Sequence, residues 1–320
     1  MNYDVFNGDA DGICALLQLR LAQPLSSTLI TGVKRDIHLL QQVSQQADAK
    51  QVTVLDISME KNATALTQLL RNQATVFYCD HHRAGVIPSH PKLTTLINLD
   101  AQSCTSLLIN HHLGGQFPLW AITGAYGDNL FSRADQLAET LKLNLSERKF
   151  LKELGTLVNY NSYGANLEDL LIPPAQLYQQ LYYYHSPLEL AAKTDSLFYQ
   201  LQAGYQADMA MATTYRPIRE TEKIRVIALP NAPWARRISG ALGNALTNQA
   251  PNMAHAILTL NADECSYCVS VRAPLNRREG ADEVCSAFET GGGRRAAAGI
   301  NVLPLQQLDH FITTLQQRYW

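Results

Sequence analysis

The sequence predicts an α/β protein with a doubly wound, mostly parallel sheet and a smaller α/β domain at the carboxyl terminus, joined by a helical connection. Two observations lead to this prediction. Short runs of β-branched and aromatic residues alternate with amphipathic helical segments in the first part of the chain, which is typical of βαβ units. After residue 216 strand and helix signals return, but two strand candidates there are adjacent, which indicates a separate α/β domain.

Length and composition agree with two folded domains. The 320 residues are 46% hydrophobic and 17% charged, which is an ordinary globular composition with enough apolar residues for two cores. We predict a first domain at 1–132, a helical extension and linker at 133–215, and a second domain at 216–320.

The elements of the first domain follow from residue type and period. Apolar runs rich in valine, isoleucine and aromatic residues predict strands at 3–6, 28–31, 51–58, 75–80 and 93–99. Leucine, valine and alanine recur at helical spacing between them, which predicts helices at 13–21, 37–47, 61–72 and 105–113. Ser103-Cys104-Thr105 is predicted to cap the last of these helices.

Helical periodicity continues through residues 132–206 and is interrupted at Pro173-Pro174, which divides this region into two helical pieces. In the last domain the same criteria predict strands at 224–229, 254–260 and 267–272. Helices are predicted there at about 234–248 and 282–288, and the second leads into a triple glycine.

The two halves of the chain carry opposite net charge. Residues 1–215 contain 14 Lys and Arg against 19 Asp and Glu, whereas residues 216–320 contain 12 against 9, and 11 of those 12 cations are Arg. An acidic half and an Arg-rich half suggest a metal on one side and an anionic substrate on the other. The net charge of −2, without a broad basic patch, disfavours binding of long duplex DNA.

Location is predicted from what the sequence lacks. No run of about 18 apolar residues occurs, and the first residues do not have the basic and apolar regions of a signal peptide. The six cysteines are scattered, which suits reduced thiols better than disulfides. Cys265 and Cys268 form a lone C-x-x-C that strand alternation explains better than zinc. We therefore expect a cytoplasmic protein with no membrane partner.

Acids and imidazoles follow several predicted strands or lie beside glycines. They are Asp9, Asp11, Asp56, Asp80, His81, His82 and Asp128. Because the carboxyl ends of parallel strands meet at one edge of a sheet, we expect these side chains to converge.

Single members of this set have simpler explanations. Asp11 is a good helix N-cap, and Asp80-His81-His82 taken alone is equally well a surface turn. Five carboxylates at one edge would, however, repel each other strongly unless cations neutralise them. Hard oxygen ligands with one or two imidazoles suit Mn²⁺ or Mg²⁺. The pattern therefore favours a two-metal site over a structural acidic rim.

Five segments in order resemble the motifs of the DHH phosphoesterase superfamily and its DHH-associated domain. They are Asn7–Gly12 (NGDADG), the strand ending in Asp56, Asp80-His81-His82, Gly127-Asp128, and Gly291–Gly299 (GGGRRAAAG). The resemblance spans nearly the whole chain. The layout is similar to RecJ-type single-strand exonucleases and to nanoRNases, and it lacks the extra domains of processive RecJ enzymes.

The resemblance implies a site with two Mn²⁺ or Mg²⁺ ions. One ion would be held by Asp9, Asp56 and Asp128. The second would be held by Asp11, Asp56 and His81, so that Asp56 bridges the pair.

Three further residues at this site take their roles from the resemblance. His82 would face the scissile phosphate, and Asp80 would orient an imidazole through its ring N–H; with Asp56 these are the predicted catalytic residues. Asn7 belongs to the predicted metal set but stands where the family usually has His or Asp. A neutral amide is a poorer ligand, so weak binding of the first metal is expected.

The predicted substrate contacts lie in the last domain. They are Arg272, Gly291, Gly292, Gly293, Arg294 and Arg295. The family pattern places an arginine contact at the end of the strand that contains Arg272. The glycines are expected to form a loop, before a helix-prone alanine run, whose bare N–H groups cradle a phosphate or a terminal nucleotide. Arg294 stands where the family often has His, and its guanidinium can still bind phosphate through two hydrogen bonds.

These assignments predict a metal-dependent phosphodiesterase, exonuclease-like, that hydrolyses short single-stranded oligonucleotides to mononucleotides by a two-metal mechanism. Alternatives within the enzyme class are a bisphosphonucleotide phosphatase and a phosphodiesterase for linear or cyclic dinucleotides. A different class is a nucleotide-binding sensor with weakened catalysis, which Asn7 and Arg294 favour and the five acids oppose. The expected partner is short single-stranded nucleic acid or a small nucleotide, and the sequence leaves an oligomer open.

Overall fold

The computed structural model describes residues 1–320, and the chain divides into two compact units, Met1–Gln202 and Ala203–Trp320. The predicted segment 133–215 is therefore distributed between both: its helices as far as residue 202 lie in the first unit, and the remainder opens the second. The boundary falls inside one helix, Leu197–Ala212, and not in the irregular stretch after it.

The first unit is built on a fully parallel five-stranded sheet. The strands are β1 (Asn2–Phe6), β2 (Thr28–Ile30), β3 (Gln51–Leu55), β4 (Thr75–Asp80) and β5 (Leu93–Ile97), in the spatial order β2-β1-β3-β4-β5. Helices between the strands are α1 (Ala10–Ala22), α2 (Leu40–Ser44), α3 (Ala63–Arg71) and α4 (Thr105–His112). The predicted strands are all present, so the expected α/β fold class is confirmed.

Both faces of this sheet are covered. Val5, Val54 and Tyr78 point to one face, where they pack in a single buried cluster with the leucines of α2 and α3. Helices α1 and α4 contact β1, β3 and β4 outside that cluster, as the alternation of side chains across a strand requires. Burial on both faces explains why the strand sequences are nearly continuous apolar runs.

The rest of the first unit is helical. Its helices are α5 (Pro118–Gly127), α6 (Phe131–Thr140), α7 (Leu145–Asn161) and α8 (Pro174–Leu181), with short 3₁₀ turns at Glu60–Asn62, Leu167–Asp169 and Pro187–Ala192. Pro118 and Pro174 stand in the first turn of α5 and α8, where a missing N–H costs nothing. Asn144 and Glu147 form a capping box that begins α7.

The second unit contains a mixed six-stranded sheet. Its strands are β6 (Arg219–Glu220), β7 (Ile224–Leu229), β8 (Ala254–Leu260), β9 (Ser266–Arg272), β10 (Gly291–Arg294) and β11 (Ala297–Pro304), in the order β10-β11-β9-β8-β7-β6. Only β7 and β8 are parallel. The helices are α9 (Leu197–Ala212), α10 (Pro233–Gln249), α11 (Ala281–Ser286) and α12 (Leu308–Arg318), with a 3₁₀ turn at Leu305–Gln307.

Two predicted elements differ from the structure. The helix predicted at 37–47 is only the five residues of α2, because Asp36 accepts a hydrogen bond from the Val33 N–H and holds a turn ahead of it. Gly291–Gly293 do not form a loop, and the alanines after Arg295 do not form a helix. Both segments are strands of one hairpin, with Arg294 paired to Ala297.

No helix of the structure combines the length and the apolar character needed to cross a membrane.

Candidate metal centre

The strand order of the first unit places a crevice where its acids are found. In a parallel sheet of this order, β1 and β3 are neighbours whose connections leave towards opposite faces, and ligands bind beside the carboxyl ends of such strands. The register pairs Phe6 with Leu55 and Leu55 with Cys79, so the residues that follow β1, β3 and β4 emerge side by side. The predicted convergence of these strand ends is therefore present in the structure.

The turn after β1 is fixed by its own side chains. Asp9 is the N-cap of α1, and its Oδ1 accepts from the N–H groups of Asp11 and Gly12 at 3.0 and 3.1 Å. A Cβ at Gly12 would lie 2.3 Å from the Asn7 carbonyl oxygen, and one at Gly8 would lie 2.0 Å from the Gly32 carbonyl oxygen. The two glycines therefore permit close backbone approaches that a side chain would prevent.

Asn7 makes two hydrogen bonds to the backbone. Its Oδ1 accepts from the Asp9 N–H at 3.2 Å, and its Nδ2 donates to the Lys34 carbonyl at 3.3 Å. Asn7 therefore ties the turn after β1 to the loop after β2.

Asp11 caps a helix, but not its own. Its two carboxylate oxygens accept from the N–H groups of Thr105 and Ser106, at 2.7 and 2.8 Å, at the start of α4. The predicted capping of α4 by its own residues 103–105 is wrong, because Cys104 stands at the N-cap and makes no side-chain cap hydrogen bond. Asp11 thus joins α1 to α4, and each of its oxygens has a lone pair left over.

Asp56 holds an unusual backbone conformation. Its φ is +60°, in the left-handed region that glycine and asparagine tolerate best, and its N–H donates to the Cys79 carbonyl at 3.1 Å. Thr105 donates its hydroxyl to Asp56 Oδ1 at 3.1 Å. Strain of this kind concentrates at functional sites, and here it turns a buried carboxylate towards the other acids.

His81 lies at the centre of the acids. Its Nε2 is 3.4 Å from Asp56 Oδ1 and 3.8 Å from both Asp11 Oδ2 and Asp128 Oδ2. A bare nitrogen lone pair beside three carboxylates is unfavourable, so this arrangement calls for a proton or a cation among the four groups.

Asp128 reaches the site from the end of a helix, whereas Asp9, Asp56 and Asp80 come from the ends of strands. It follows the last residue of α5, where Gly127 permits close packing: a Cβ there would lie 2.3 Å from the Ala10 Cβ. The approach of α5 to the start of α1 therefore places Asp128 beside the residues after β1.

Asp80 and His82 form a second pair. His82 Nδ1 lies 2.8 Å from Asp80 Oδ1, so a protonated Nδ1 donates to it and leaves Nε2 directed elsewhere. Burial alone would lower the pKa of His82, but this hydrogen bond and the charge of Asp80 raise it overall. Asp80 is fully buried and contacts the imidazole, and the orienting role that the resemblance implies for it stays a prediction.

Lys34, which the sequence interpretation did not select, completes the cluster. Its ammonium forms an ion pair with Asp9 Oδ2 and donates to Asn159 Oδ1 at 2.8 Å. The signal was available: Lys34 follows β2, and the rule about carboxyl ends of parallel strands applies to that strand as well. Thr105 and Ser106 had no comparable signal, since they bind through a backbone group or a common hydroxyl.

The charges of the centre are unevenly compensated. Burial would raise the pKa of Asp9, but the Lys34 ammonium, the Gly12 N–H and the Asp56 carboxyl lower it to about 2. Burial and the charges of Asp11 and Asp9 raise the pKa of Asp56 well above its usual range, and burial also raises that of Asp128. The Lys34 ammonium contacts Asp9 directly and also opposes the rise in the pKa of Asp128, so Asp56 is the least compensated of these carboxylates.

The residues fit a divalent metal ion. Ligand atoms of Asp56, His81 and His82 all lie within 4.8 Å of one another. The buried oxygens Asp80 Oδ2 and Asp128 Oδ2 have no hydrogen-bond partner. Two ligands of one Mg²⁺-sized ion, each about 2.1 Å from it, lie roughly 3 to 4.2 Å apart, which matches the spacing around His81 Nε2.

The predicted substrate residues of the second unit lie in three different local environments. Arg272 donates to Asn244 Oδ1 at 2.7 Å and to Ser270 Oγ at 2.9 Å beside α10. Gly291–Gly293 lie in β10 at one edge of the sheet. Arg294 and Arg295 are exposed at the hairpin turn, and Arg295 forms an ion pair with Glu279 at 3.0 Å.

No protein-family model and no curated protein matches the sequence. Solved structures do match. A DHH domain described as a member of a family of ribosomal proteins aligns with a TM-score of 0.64 at 12% identity, over 99% of this chain and 85% of that one.

Two further matches are named for an activity. Exonuclease RecJ bound to manganese aligns with a TM-score of 0.56 at 15% identity, over 99% of this chain and 89% of that one. The pGpG-specific phosphodiesterase PggH from Vibrio cholerae aligns with a TM-score of 0.55 at 15% identity, over 99% of both chains. At these identities the matches establish the fold, and they confirm the DHH resemblance at that level.

Proposed function

We propose that this chain, which has the fold of DHH-domain proteins, is a divalent-metal-dependent phosphodiesterase that hydrolyses short single-stranded oligonucleotides to mononucleotides. The observation that supports this most is the cluster of Asp11, Asp56, His81 and Asp128 at the carboxyl edge of the parallel sheet. It combines buried negative charge with ligand spacing that suits a hard cation.

The comparisons favour a short substrate. The chain covers 99% of the pGpG-specific phosphodiesterase, whose substrate is a dinucleotide, and 89% of the manganese-bound RecJ exonuclease. Both neighbours act on phosphodiester bonds of nucleotides, and one of them binds manganese. Mn²⁺ or Mg²⁺ is therefore the proposed cofactor.

Asp11, Asp56, His81 and Asp128 would hold the ion. A bound divalent ion supplies Lewis-acid polarisation of the phosphoryl oxygens and lowers the pKa of a coordinated water. The strained conformation of Asp56 and the capping bonds of Asp11 hold their carboxylates in place before any ion arrives. The resemblance implies two ions with Asp9 as a ligand of one, and the Lys34 ammonium on Asp9 bears directly on that number.

His82 would act on the phosphate through Nε2. Asp80 accepts from Nδ1–H and raises the pKa of His82, so in the protonated imidazole Nε2 would have a proton to donate to the leaving oxygen or to the phosphate. Asp80 is a positioning residue in this proposal, because it contacts His82 and not the substrate.

In the second unit we propose that Arg272, the backbone of Gly291–Gly293, Arg294 and Arg295 bind the nucleotide end. Exposure of the two hairpin arginines leaves their guanidinium groups accessible to a phosphate.

The test is a product ladder. Wild-type protein and Mn²⁺ would be incubated with end-labelled single-stranded oligonucleotides of two to about twenty nucleotides. This range includes the site sizes of single-strand binding proteins. Parallel reactions would contain a linear dinucleotide, a cyclic dinucleotide and a 3′,5′-bisphosphonucleotide. We expect mononucleotides from the shortest oligonucleotides, and the position of the label gives the direction of cleavage.

The matched control is Asp56→Ala with and without a chelator. Cleavage by wild type alone supports the proposal, whereas equal cleavage by both proteins indicates a contaminant. If only the bisphosphonucleotide or only the cyclic dinucleotide is turned over, that compound becomes the proposed substrate in place of the oligonucleotide. Nucleotide binding without turnover of any substrate would favour the sensor.

A further inference from the structure

Lys34 places a fixed positive charge inside the centre. Its side chain is 25% exposed, and its ammonium lies against Asp9 Oδ2, whose own side chain is 5% exposed. Asn159 accepts a second hydrogen bond from it, and the ring of Tyr163 lies 5.7 Å away. A partly buried ammonium with two side-chain acceptors and an aromatic ring beside it is held more firmly than an exposed ion pair.

The backbone holds Lys34 at this position. The Lys34 N–H donates to the Ser162 carbonyl at 2.9 Å, and the Lys34 carbonyl accepts from Asn7 Nδ2 at 3.3 Å. The Val33 N–H donates to Asp36 Oδ2 at 3.0 Å. Hydrogen bonds therefore fix the backbone of the loop after β2 at and next to Lys34. From this fixed position the Lys34 side chain extends to Asp9.

Asn7 has a physical reason to be an amide. It accepts from the Asp9 N–H and donates to the Lys34 carbonyl at the same time. A carboxylate at position 7 has no proton for the second bond. Asn7, which departs from the DHH pattern, thus holds the loop that contains Lys34. The amide at position 7 and the ammonium of Lys34 are therefore parts of the same hydrogen-bonded arrangement.

The carboxylate oxygens at the Asp9 end of the cluster have hydrogen-bond partners, whereas some of those near His81 do not. On Asp9, Oδ1 accepts two N–H bonds and Oδ2 accepts the ammonium. On the other side, Asp128 Oδ2 is buried without a partner, and Asp56 and Asp11 surround His81 Nε2. A divalent ion added at Asp9 would face the ammonium at close range, whereas one added near His81 Nε2 would meet three carboxylates that Lys34 does not contact directly.

We propose that the centre binds one divalent ion per chain, held by Asp11, Asp56, His81 and Asp128, and that the Lys34 ammonium is its second cation. In a phosphodiesterase the ammonium would supply a permanent positive charge beside the phosphoryl oxygens at the place where a two-ion site has its other metal. This proposal rests on the proposed function for its role in catalysis, but the number of ions is measurable without any turnover.

The test measures Mn²⁺ stoichiometry on the full-length chain by isothermal titration and by elemental analysis after gel filtration. Wild type is expected to bind one Mn²⁺. Lys34→Met removes the ammonium and keeps most of the side-chain length, so a second equivalent is expected to bind. Lys34→Arg keeps the charge and is expected to bind one. Asn7→Asp removes the donor to the Lys34 carbonyl and adds a carboxylate, so it is also expected to take up a second ion.

Two equivalents in wild type would overturn the proposal, whatever the variants do, and would leave the phosphodiesterase intact if the oligonucleotides are cleaved. One equivalent in properly folded Lys34→Met and Asn7→Asp would overturn it as well, because removing the ammonium would then have opened no site. No bound Mn²⁺ in wild type would remove this proposal together with the metal-dependent function. Circular dichroism identifies variants that fail to fold, and the wild-type count does not depend on them.

Discussion

The candidate metal ligands of the first unit and the candidate substrate arginines of the second unit are held in opposite ways. In the first unit the carboxylates of Asp11 and Asp56 are buried and fixed by backbone N–H groups, a hydroxyl and a strained turn. In the second unit Arg294 and Arg295 stand exposed on a hairpin turn. Buried carboxylates without a full complement of counter-charges are expensive and therefore indicate a functional site, whereas the exposed guanidinium of Arg294 is accessible to an anion. The comparison suggests chemistry in one unit and capture in the other.

The largest expected effect comes from removing one buried charge. Asp56→Asn keeps a residue that tolerates positive φ but removes the carboxylate that the other acids repel. We expect hydrolysis to fall by about a thousandfold or more, as for other residues that hold a catalytic centre. In metal-free protein the melting temperature should rise, because a repelled buried charge has been removed.

Asp100 provides the matched control for this prediction. It also follows a strand of the same sheet, β5, but it is exposed and its carboxylate accepts only from the Gln102 N–H. Asp100→Asn should leave both rate and melting temperature unchanged. A metal-free Asp56→Asn protein that melts lower than wild type would show that Asp56 supports the fold, contrary to the comparison.

A second prediction concerns pH and the second unit. His255 on β8 is fully buried, neither ring nitrogen has a hydrogen-bond partner, and burial lowers its pKa to about 4. The unfolded chain takes up a proton near the ordinary pKa of about 6.5 that the folded chain refuses, so stability falls as pH drops from above 6.5 towards 4. The loss between pH 7.5 and 5 should be on the order of 1 to 2 kcal/mol.

Urea unfolding at both pH values would measure this loss, followed by hydrogen exchange in β7 and β8. His255→Leu should flatten the dependence over this interval, because no titrating group remains there. His38→Leu, at an exposed position, is the control and should keep the wild-type dependence. An unchanged slope in His255→Leu would assign the acid sensitivity to other groups.

The features of the first unit that follow from local residue patterns were predictable from the sequence, and those that depend on long-range contacts were not. The first sheet and the site after β1, β3 and β4 were predictable, because residue pattern determines parallel strands and topology then brings their ends together. Lys34 obeys the same rule and was missed because only acids and imidazoles were sought at the strand ends. The capping of α4 by Asp11 was beyond reach, since it joins residues 94 positions apart in the chain.

The second unit was less predictable for a physical reason. The strands β7, β8 and β9 were placed correctly, but β11 was missed and the triple glycine was expected to be a loop, because glycine has little strand preference of its own. The conformation of this segment is determined by its hairpin partner. β10 forms because β11 provides a complete set of strand-pairing positions from Ala297 to Ile300. Such a long-range pairing leaves little trace in the local composition.

The smallest effect is expected at the hairpin arginines, and it separates capture from chemistry. Arg294 makes no ion pair, whereas the guanidinium of Arg295 is already paired with Glu279. For Arg294→Ala we expect KM for a short oligonucleotide to rise about tenfold with little change in kcat, since one hydrogen bond to a charged group is worth roughly 1.5 kcal/mol at the low end of its range. Arg295→Ala should raise KM less than Arg294→Ala does, because its partner Glu279 already competes for the guanidinium. A fall in kcat at constant KM for Arg294→Ala would mean that this residue acts in the reaction itself, and the division between capture and chemistry would then be wrong.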